Sequence, residues 1–463
     1  MPFDPKLFGD HLLSLYQSIA NTAVLNSPVG PSTGQVGTDN DFVKAVEQVC
    51  NFKAAGTTTL PIATPPGIDS GAWNSARIFF EAMEARLQGN TVLADQLQNE
   101  IKFGTNDPNW VETLEDYLVY FGPDGKRKAI PYVTPEAAGP YVITIPDDAR
   151  IALIGDWGTG TEAAVALLKQ VKAQNPNVLI HMGDIYYSGT EDECRQNFEA
   201  IVNTVFDRAN VFLPVFNLAG NHDMYSGGQG YYDLLKRLNP DDKHQQKASF
   251  FCLRTENAKW QILGADTGVH DCDPFTAITA RLTNGAAATY LNPDEENWHI
   301  ARLAEKPDWD TIILSHHQVF SAFSAIGRRD TDSDSYPCVN KNLLGSLRKF
   351  QAAGTVAAWF WGHEHNLCIY EPYMGLAYGR CVGHGAVPVQ VSDAPYGAIA
   401  GASSPPALIE ATRLGMTGAV FAHGFAMITL NPAGGPAHVD YFDDSGVPQP
   451  RWSETIPSTG VPA

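Results

Sequence analysis

RIALIGDWGTG (residues 150–160) and NVLIHMGDIYY (residues 177–187) follow one pattern, an apolar and β-branched run that stops at Gly-Asp. A short apolar run bounded by a turn signal reads as a strand buried on both faces, as parallel sheets require. The pattern recurs outward along the chain. Apolar runs at Val211–Leu218, Ile262–Leu263, Thr311–Leu314, Val356–Phe360 and Ala426–Leu430 read as further strands. Helical stretches at Glu162–Ala173 and Asn197–Phe206 lie between them, so the region is α/β. The stretch from Gly385 to Gly418, rich in Ala, Gly, Pro and Ser, reads as a long irregular connection with one helical piece near Leu408–Leu414.

Upstream the texture changes. Residues 1–149 mix isolated helical patterns with connections such as SPVGPSTGQVGTDN, and are expected to form a mainly helical extension ahead of a catalytic domain at 150–463. One amphipathic helix is expected between Asp69 or Ser70 and Gly89, where Ala72, Ala76, Phe79, Phe80, Met83 and Leu87 recur at spacings of three and four. A second is expected over Trp110–Phe121.

Composition narrows the class. With 463 residues, 44% of them apolar and 18% charged, the chain can bury a large core, which excludes wholesale disorder. Lys and Arg number 31 against 51 Asp and Glu, a net charge of −20 that repels phosphate backbones and anionic lipid. No nucleic-acid partner is expected, and no run approaches the roughly 18 apolar residues of a membrane span. Seven cysteines without a C-x-x-C pair fit neither a disulfide scaffold nor a zinc ribbon. Together with the missing signal-peptide pattern they lead to a cytoplasmic expectation, or an exported protein if a leader has been removed.

The strand ends carry the chemistry. In order they are IGDWG with Asp156, MGDIYY with Asp184 and Tyr187, AGNHD with Asn221 and His222, LSHHQ with His316, and WGHEH with His363 and His365. Open α/β sheets bind ligands at such ends, so five of them are expected to meet in one cleft. Two carboxylates, a phenol, an amide oxygen and three imidazoles are too many donors for one ion but suit two. Mixed oxygen and nitrogen donors without thiolate favour Fe, Zn or Mn. A phenol of ordinary pKa about 10 ligates at neutral pH only beside a strongly acidic ion, which points to Fe(III) at one position.

These residues resemble the calcineurin-like metallophosphoesterases and, within them, the purple acid phosphatase branch, over roughly Arg150 to Gly446. Other branches carry D-x-H at the first motif. The purple branch carries D-x-G and a tyrosine three residues after the second-motif aspartate, as do Asp156-Trp157-Gly158 and Asp184…Tyr187 here. The resemblance implies a four-layer α/β/β/α sandwich. It also implies that Asp156, Tyr187 and His365 bind Fe(III), that Asp184 bridges, and that Asn221, His316 and His363 bind a divalent Zn, Fe or Mn ion. His222 would face the substrate without ligating. Asn221-His222-Asp223 departs from the Glu common at its third position, a mild change if that residue only supports the ligands. The neighbouring Tyr186 would project from the other strand face if the strand continues.

The implied function is hydrolysis of small phosphate monoesters by metal-bound hydroxide, with a protonated His222 serving the leaving alcohol. A phosphodiesterase acting on a nucleotide or phospholipid headgroup, and a non-catalytic binding protein that retains the fold, are the alternatives. His317, Arg328, Arg329 and His384 are candidate substrate contacts. Each also has a plainer reading: cleft wall for His317, exposed loop for the two arginines, turn residue for His384. His181 reads as a core histidine, His423 as structural, and Glu364 as pointing away from the site.

Overall fold

A computed structural model describes residues 39–68, 70–87, 129–271, 289–324, 338–389, 395–399, 404–417 and 420–458, with a few isolated positions between them. Two sheets dominate. The first runs in spatial order β1 (Ile143–Thr144), β5 (Phe251–Arg254), β6 (Trp260–Ala265), β7 (Asp310–Ser315), β8 (Thr355–Trp361), β10 (Gly379–Val382) and β9 (Leu367–Ile369), strand numbers following the chain. The second runs β13 (Trp452–Ile456), β12 (Ala437–Asp443), β11 (Gly424–Thr429), β2 (Arg150–Ile154), β3 (Val178–His181) and β4 (Val215–Asn217). Strands β2, β3 and β4 are mutually parallel, as are β6, β7 and β8.

The layers follow from the two-residue period of a strand. Ile151 and Leu153 of β2, Val178 and Ile180 of β3 and Phe216 of β4 enter a core shared with Ile262, Ile312, Leu314 and Phe360 of the other sheet. Their neighbours Ala152, Ile154, Leu179 and Val215 enter a second core on the outer face, beneath the helix Glu162–Ala173. Thr161 caps that helix by accepting the Ala164 N–H, and Ala164, Leu167, Leu168 and Val171 form its buried stripe. On the far side, Trp298 and Leu303 of the helix Pro293–Glu305 and Leu343, Leu347 and Phe350 of Lys341–Ala353 join the core of the seven-stranded sheet. The order is helix, sheet, sheet, helix, the expected architecture.

Three differences have physical causes. The strand expected over Val211–Leu218 is only Val215–Asn217, because Val211 and Phe212 are 53% and 58% exposed and Pro214 has no N–H for the ladder. The helix expected over Asn197–Phe206 is α-helical only over Ala200–Phe206, its first residues belonging to a wider π-type turn at Cys194–Glu199, and it ends on a left-handed Asp207. The sandwich also begins before residue 150: β1 pairs in parallel with β5, Ile143 opposite Leu253, and Tyr141 and Ile145 are core residues.

Farther upstream, the helices Asp39–Ala54 and Ser70–Leu87 share their own apolar cluster, including Val46, Val49, Trp73, Ala76 and Phe80. Most of the helix expected over Trp110–Phe121 falls outside the described residues. Glu410–Thr412 forms the single helical turn expected between Leu408 and Leu414. Among the described residues no helix is long and apolar enough to cross a membrane, and six cysteines are free and buried.

Candidate metal centre

Five of the parallel strands end on one edge of the sandwich, three from one sheet and two from the other. Asp156 follows β2, Asp184 follows β3, Asn221 and His222 follow β4, His316 follows β7, and His363 and His365 follow β8. Side chains tie the two sheets together there. The His363 N–H donates to Asp156 Oδ2 at 2.8 Å, and His316 Nδ1–H donates to the Met182 carbonyl at 2.9 Å. Room for this crowding comes from glycine: a Cβ on Gly220 would stand 2.1 Å from Asp184 Oδ1. Asp156, Asp184 and His363 adopt left-handed backbone angles (φ 54°, 73° and 66°), a conformation that costs a non-glycine residue about 1–3 kcal/mol.

The donors form two sets that share one atom. In the first, the Tyr186 hydroxyl lies 3.2 Å from Asp156 Oδ1, 3.2 Å from Asp184 Oδ2 and 2.9 Å from His365 Nε2. In the second, His316 Nε2 lies 3.3 Å from the same Asp184 Oδ2, 3.1 Å from Asn221 Oδ1 and 3.2 Å from His363 Nδ1. All seven side chains are buried or nearly so.

Proton counting tests whether such a set suits a cation. Tyr186 has one proton for three acceptors. His316 spends its Nδ1 proton on Met182, so in the neutral ring Nε2 is a lone pair facing three further acceptors. An arrangement this rich in lone pairs requires positive charge, and the residues fit metal ions. Without an ion, protons take that place. Burial lowers the pKa of His316, but Asp184 and Asp156 outweigh it and push the value up to about 9. Burial alone would raise the Asp184 carboxyl, yet His316 and His222 hold it well below the usual carboxylate range. Burial, Asp184 and Asp156 push the Tyr186 phenol well above 10, so only a strongly acidic ion could ionise it near neutrality.

The tyrosine differs from expectation. The hydroxyl that reaches Asp156, Asp184 and His365 belongs to Tyr186; the Tyr187 backbone N–H donates to Glu193 and its carbonyl accepts from His222 Nδ1. The alternation argument assumed a continuing strand. β3 stops at His181, and Gly183 (φ 102°) and Asp184 (φ 73°) turn the chain, so strand faces no longer decide direction two residues later.

The surrounding residues have definite tasks. Asp223 Oδ2 accepts the N–H groups of Asp184 (2.9 Å) and Gly220 (2.8 Å), and its Oδ1 accepts that of Ile185 (3.2 Å). It thereby clamps the loops after β3 and β4. Glu193, which the sequence did not single out, holds the tyrosine loop by accepting the N–H groups of Tyr187, Ser188 and Thr190. His222 donates Nδ1–H to the Tyr187 carbonyl at 2.6 Å, so Nε2 faces the donors, 4.0 Å from Asp184 Oδ2. Burial lowers its pKa against the opposing pull of Asp184.

The remaining candidates separate. His317 packs on His363 with ring centroids 4.4 Å apart, but Thr267 Oγ1 (2.9 Å) and Asp271 Oδ2 (3.1 Å) engage its two nitrogens. It therefore forms a wall of the site. His384 is buried against Gly424, with no hydrogen bond described between it and the donor cluster. Arg328 and Arg329 lie outside the described residues. His181 is a core histidine, bonded to Asn217 Oδ1 at 2.8 Å and edged by Trp157 and Phe198. The Glu364 carboxyl accepts from Ser321 Oγ at 2.8 Å.

Known proteins share this part of the chain. The profile of the family described as calcineurin-like phosphoesterase matches residues 149–367. Tartrate-resistant acid phosphatase type 5 of Mus musculus is 26% identical over 249 residues, covering 50% of this chain and 70% of the mouse protein. The Homo sapiens protein of that name is 25% identical over 245 residues, with the same coverage. A solved structure titled as GAP50, the anchor in the inner membrane complex of Plasmodium, superposes on 67% of this chain and 89% of its own with a TM-score of 0.43 at 13% identity, too loosely to carry an argument. The segment matched by the family contains all five strand-end motifs. Over that segment the chain matches the calcineurin-like phosphoesterases, a family of phosphoric ester hydrolases, and is similar to their purple acid phosphatase branch.

Proposed function

We propose that the protein is a dinuclear, metal-dependent phosphomonoesterase. The observation that carries the reading is Asp184 Oδ2, one carboxylate oxygen at hydrogen-bonding range from both donor sets, 3.2 Å from the Tyr186 hydroxyl and 3.3 Å from His316 Nε2. Asp156, Tyr186 and His365 would hold one ion, Asn221, His316 and His363 the other, and Asp184 both. Phenol and carboxylates suit Fe(III) at the first position, and an amide with two imidazoles suits divalent Zn, Fe or Mn at the second. Bound there, the ions would supply Lewis-acid charge for phosphoryl oxygens and lower the pKa of water.

The chain's own residues do the rest. Met182 fixes His316 through its carbonyl, Asp223 fixes the Asp184 backbone, and the rings of His317 and His363 pack together. His222 presents Nε2 on the donor side, placed to hold a proton at the ester oxygen of a departing alcohol. Because burial lowers its pKa, the proton-bearing form is favoured by acid.

The test combines metal analysis, a visible spectrum and two substrates. The expected result is two metals per chain, a phenolate-to-iron absorption, and faster turnover of p-nitrophenyl phosphate than of its bis-ester. Preference for the bis-ester would make the protein a diesterase. A verified dimetal preparation with no hydrolysis across a broad ester panel would overturn the enzymatic reading.

A further inference from the structure

We propose that Tyr225, four residues after Asn221, is a positioning residue that keeps the Asn221 amide oxygen turned toward the second metal position. The inference rests on the dimetal reading above and names a part of it that the strand-end motifs do not contain.

Asn221 is a proposed ligand whose side chain has a wrong face. An amide carries oxygen on one side and NH2 on the other, and a cation takes only the oxygen. With Oδ1 turned to His316 Nε2 at 3.1 Å, the NH2 group points the opposite way, into a part of the site where Asn221 is 3% exposed. A buried donor without a partner is costly, so this rotamer needs an acceptor behind it. Tyr225 supplies one: Asn221 Nδ2 donates to its hydroxyl at 2.6 Å.

Local structure makes the contact possible. Residues 222–225 form a single helical turn immediately after Asn221, which returns position 225 to the same side as position 221. The Tyr225 ring also packs edge-on to the His222 ring, centroids 4.8 Å apart, so one side chain braces both a ligand and the residue facing the leaving group. Side chains that orient a ligand in this way typically change metal affinity about 10–100-fold when removed.

The experiment is a calorimetric titration of Zn²⁺, as the metal alone, into chelator-stripped full-length protein. Tyr225→Phe keeps the ring against His222 and removes only the hydroxyl. Its second, weaker zinc event is expected to weaken about 10–100-fold while the first stays within about threefold of wild type. Asn221→Asp supplies the control, because a carboxylate has no wrong face. In that background Tyr225→Phe is expected to change second-site affinity by less than about threefold, a loss of coupling that a purely structural role would not produce. Two zinc ions in wild type with an unchanged second affinity in Tyr225→Phe would overturn the assignment and leave the dimetal reading intact. Equal weakening at both sites would also overturn it, by making Tyr225 a general structural support. No zinc uptake by the wild type would overturn the dimetal reading itself, and the Tyr225 assignment with it.

Discussion

Two buried ionisable networks sit in this sandwich, and they treat charge in opposite ways. At the strand-end centre, histidines hold Asp184 well below the usual carboxylate range against the effect of burial, while His316 rises to about 9. Beyond the end of β6, Glu295 accepts from the Asp266 N–H (2.8 Å) and the Tyr132 hydroxyl (3.1 Å) and lies 3.2 Å from His299 Nε2. There burial pushes Glu295 to about 8, Asp266 to about 7 and His299 down to about 3. The first keeps the Asp184–His316 pair charged, and the second extinguishes its charges. The difference lies in the neighbours, since a carboxylate ringed by imidazoles stays ionised, whereas two carboxyls beside a phenol do so only at high cost.

A matched pair of carboxyl-to-amide substitutions tests the contrast, beginning with its larger arm. Asp184→Asn removes a charge the site keeps, and is expected to lower metal occupancy at both positions and kcat/KM by more than about 10³-fold, since loss of a residue that merely supports a ligand already costs about 10–100-fold. Two metals with near-normal turnover in that variant would end the distinction between the networks.

His222→Ala sharpens it from the substrate side. Both metals should remain while kcat for an alkyl phosphate falls about 10²-fold, toward the low end for general acid catalysis. p-Nitrophenyl phosphate, whose leaving group needs little protonation, should lose less. Metal loss in this variant would make His222 a ligand, and equal deficits for both esters would leave it a binding residue only.

Tyr186→Phe should abolish the phenolate absorption with an activity loss of only about 10-fold, because two carboxylates and an imidazole still face that ion. Tyr187→Phe should keep its colour. The reverse outcome would return the ligand role to Tyr187.

Glu295→Gln has the smallest expected effect, an activity change below about threefold, because it replaces a group that is already neutral. Its signature is in stability. The folded pKa of Glu295, about 8, stands above the unfolded value, so its contribution is complete at low pH and is lost as pH rises through about 8. His299 acts in the opposite sense between about 3 and its ordinary 6.5, which makes pH 6.5–8.5 the informative window. Wild-type Tm should fall across that window, and Glu295→Gln should flatten the fall. Identical slopes in thermal melts would show that Glu295 is charged throughout.

Much of this was readable in the residues, for identifiable reasons. Asp156, Asp184, Asn221, His316, His363 and His365 stand directly after apolar runs, and a parallel strand fixes where its own end points. Backbone geometry after the strand is less legible. Tyr186 and Tyr187 were separable only by the turn at Gly183-Asp184, a matter of two φ angles. Glu193 and Tyr225 act through loop and single-turn geometry that no periodicity encodes. Glu295 lies in the acidic first turn of a helix, and its burial depends on Asp266 and Tyr132 from distant parts of the chain, which no local pattern reveals. The strand expected over Val211–Leu218 was too long because apolar identity alone does not register the gap in the ladder that Pro214 imposes.

The division of the donors between two sheets also sets a timetable for the ribosome. Asp156, Asp184, Tyr186 and Asn221 follow strands made early in one sheet, whereas His316, His363 and His365 follow strands of the other some 95 to 145 residues farther along than Asn221. At about 5–20 residues per second, the nascent chain carries the first group on the order of ten seconds before His365 is polymerised. Until His363 and His365 are made, each set lacks an imidazole, so neither complete donor set can form. If the site binds metal as proposed, loading cannot precede His365, so the ions would have to be supplied late in synthesis or after it.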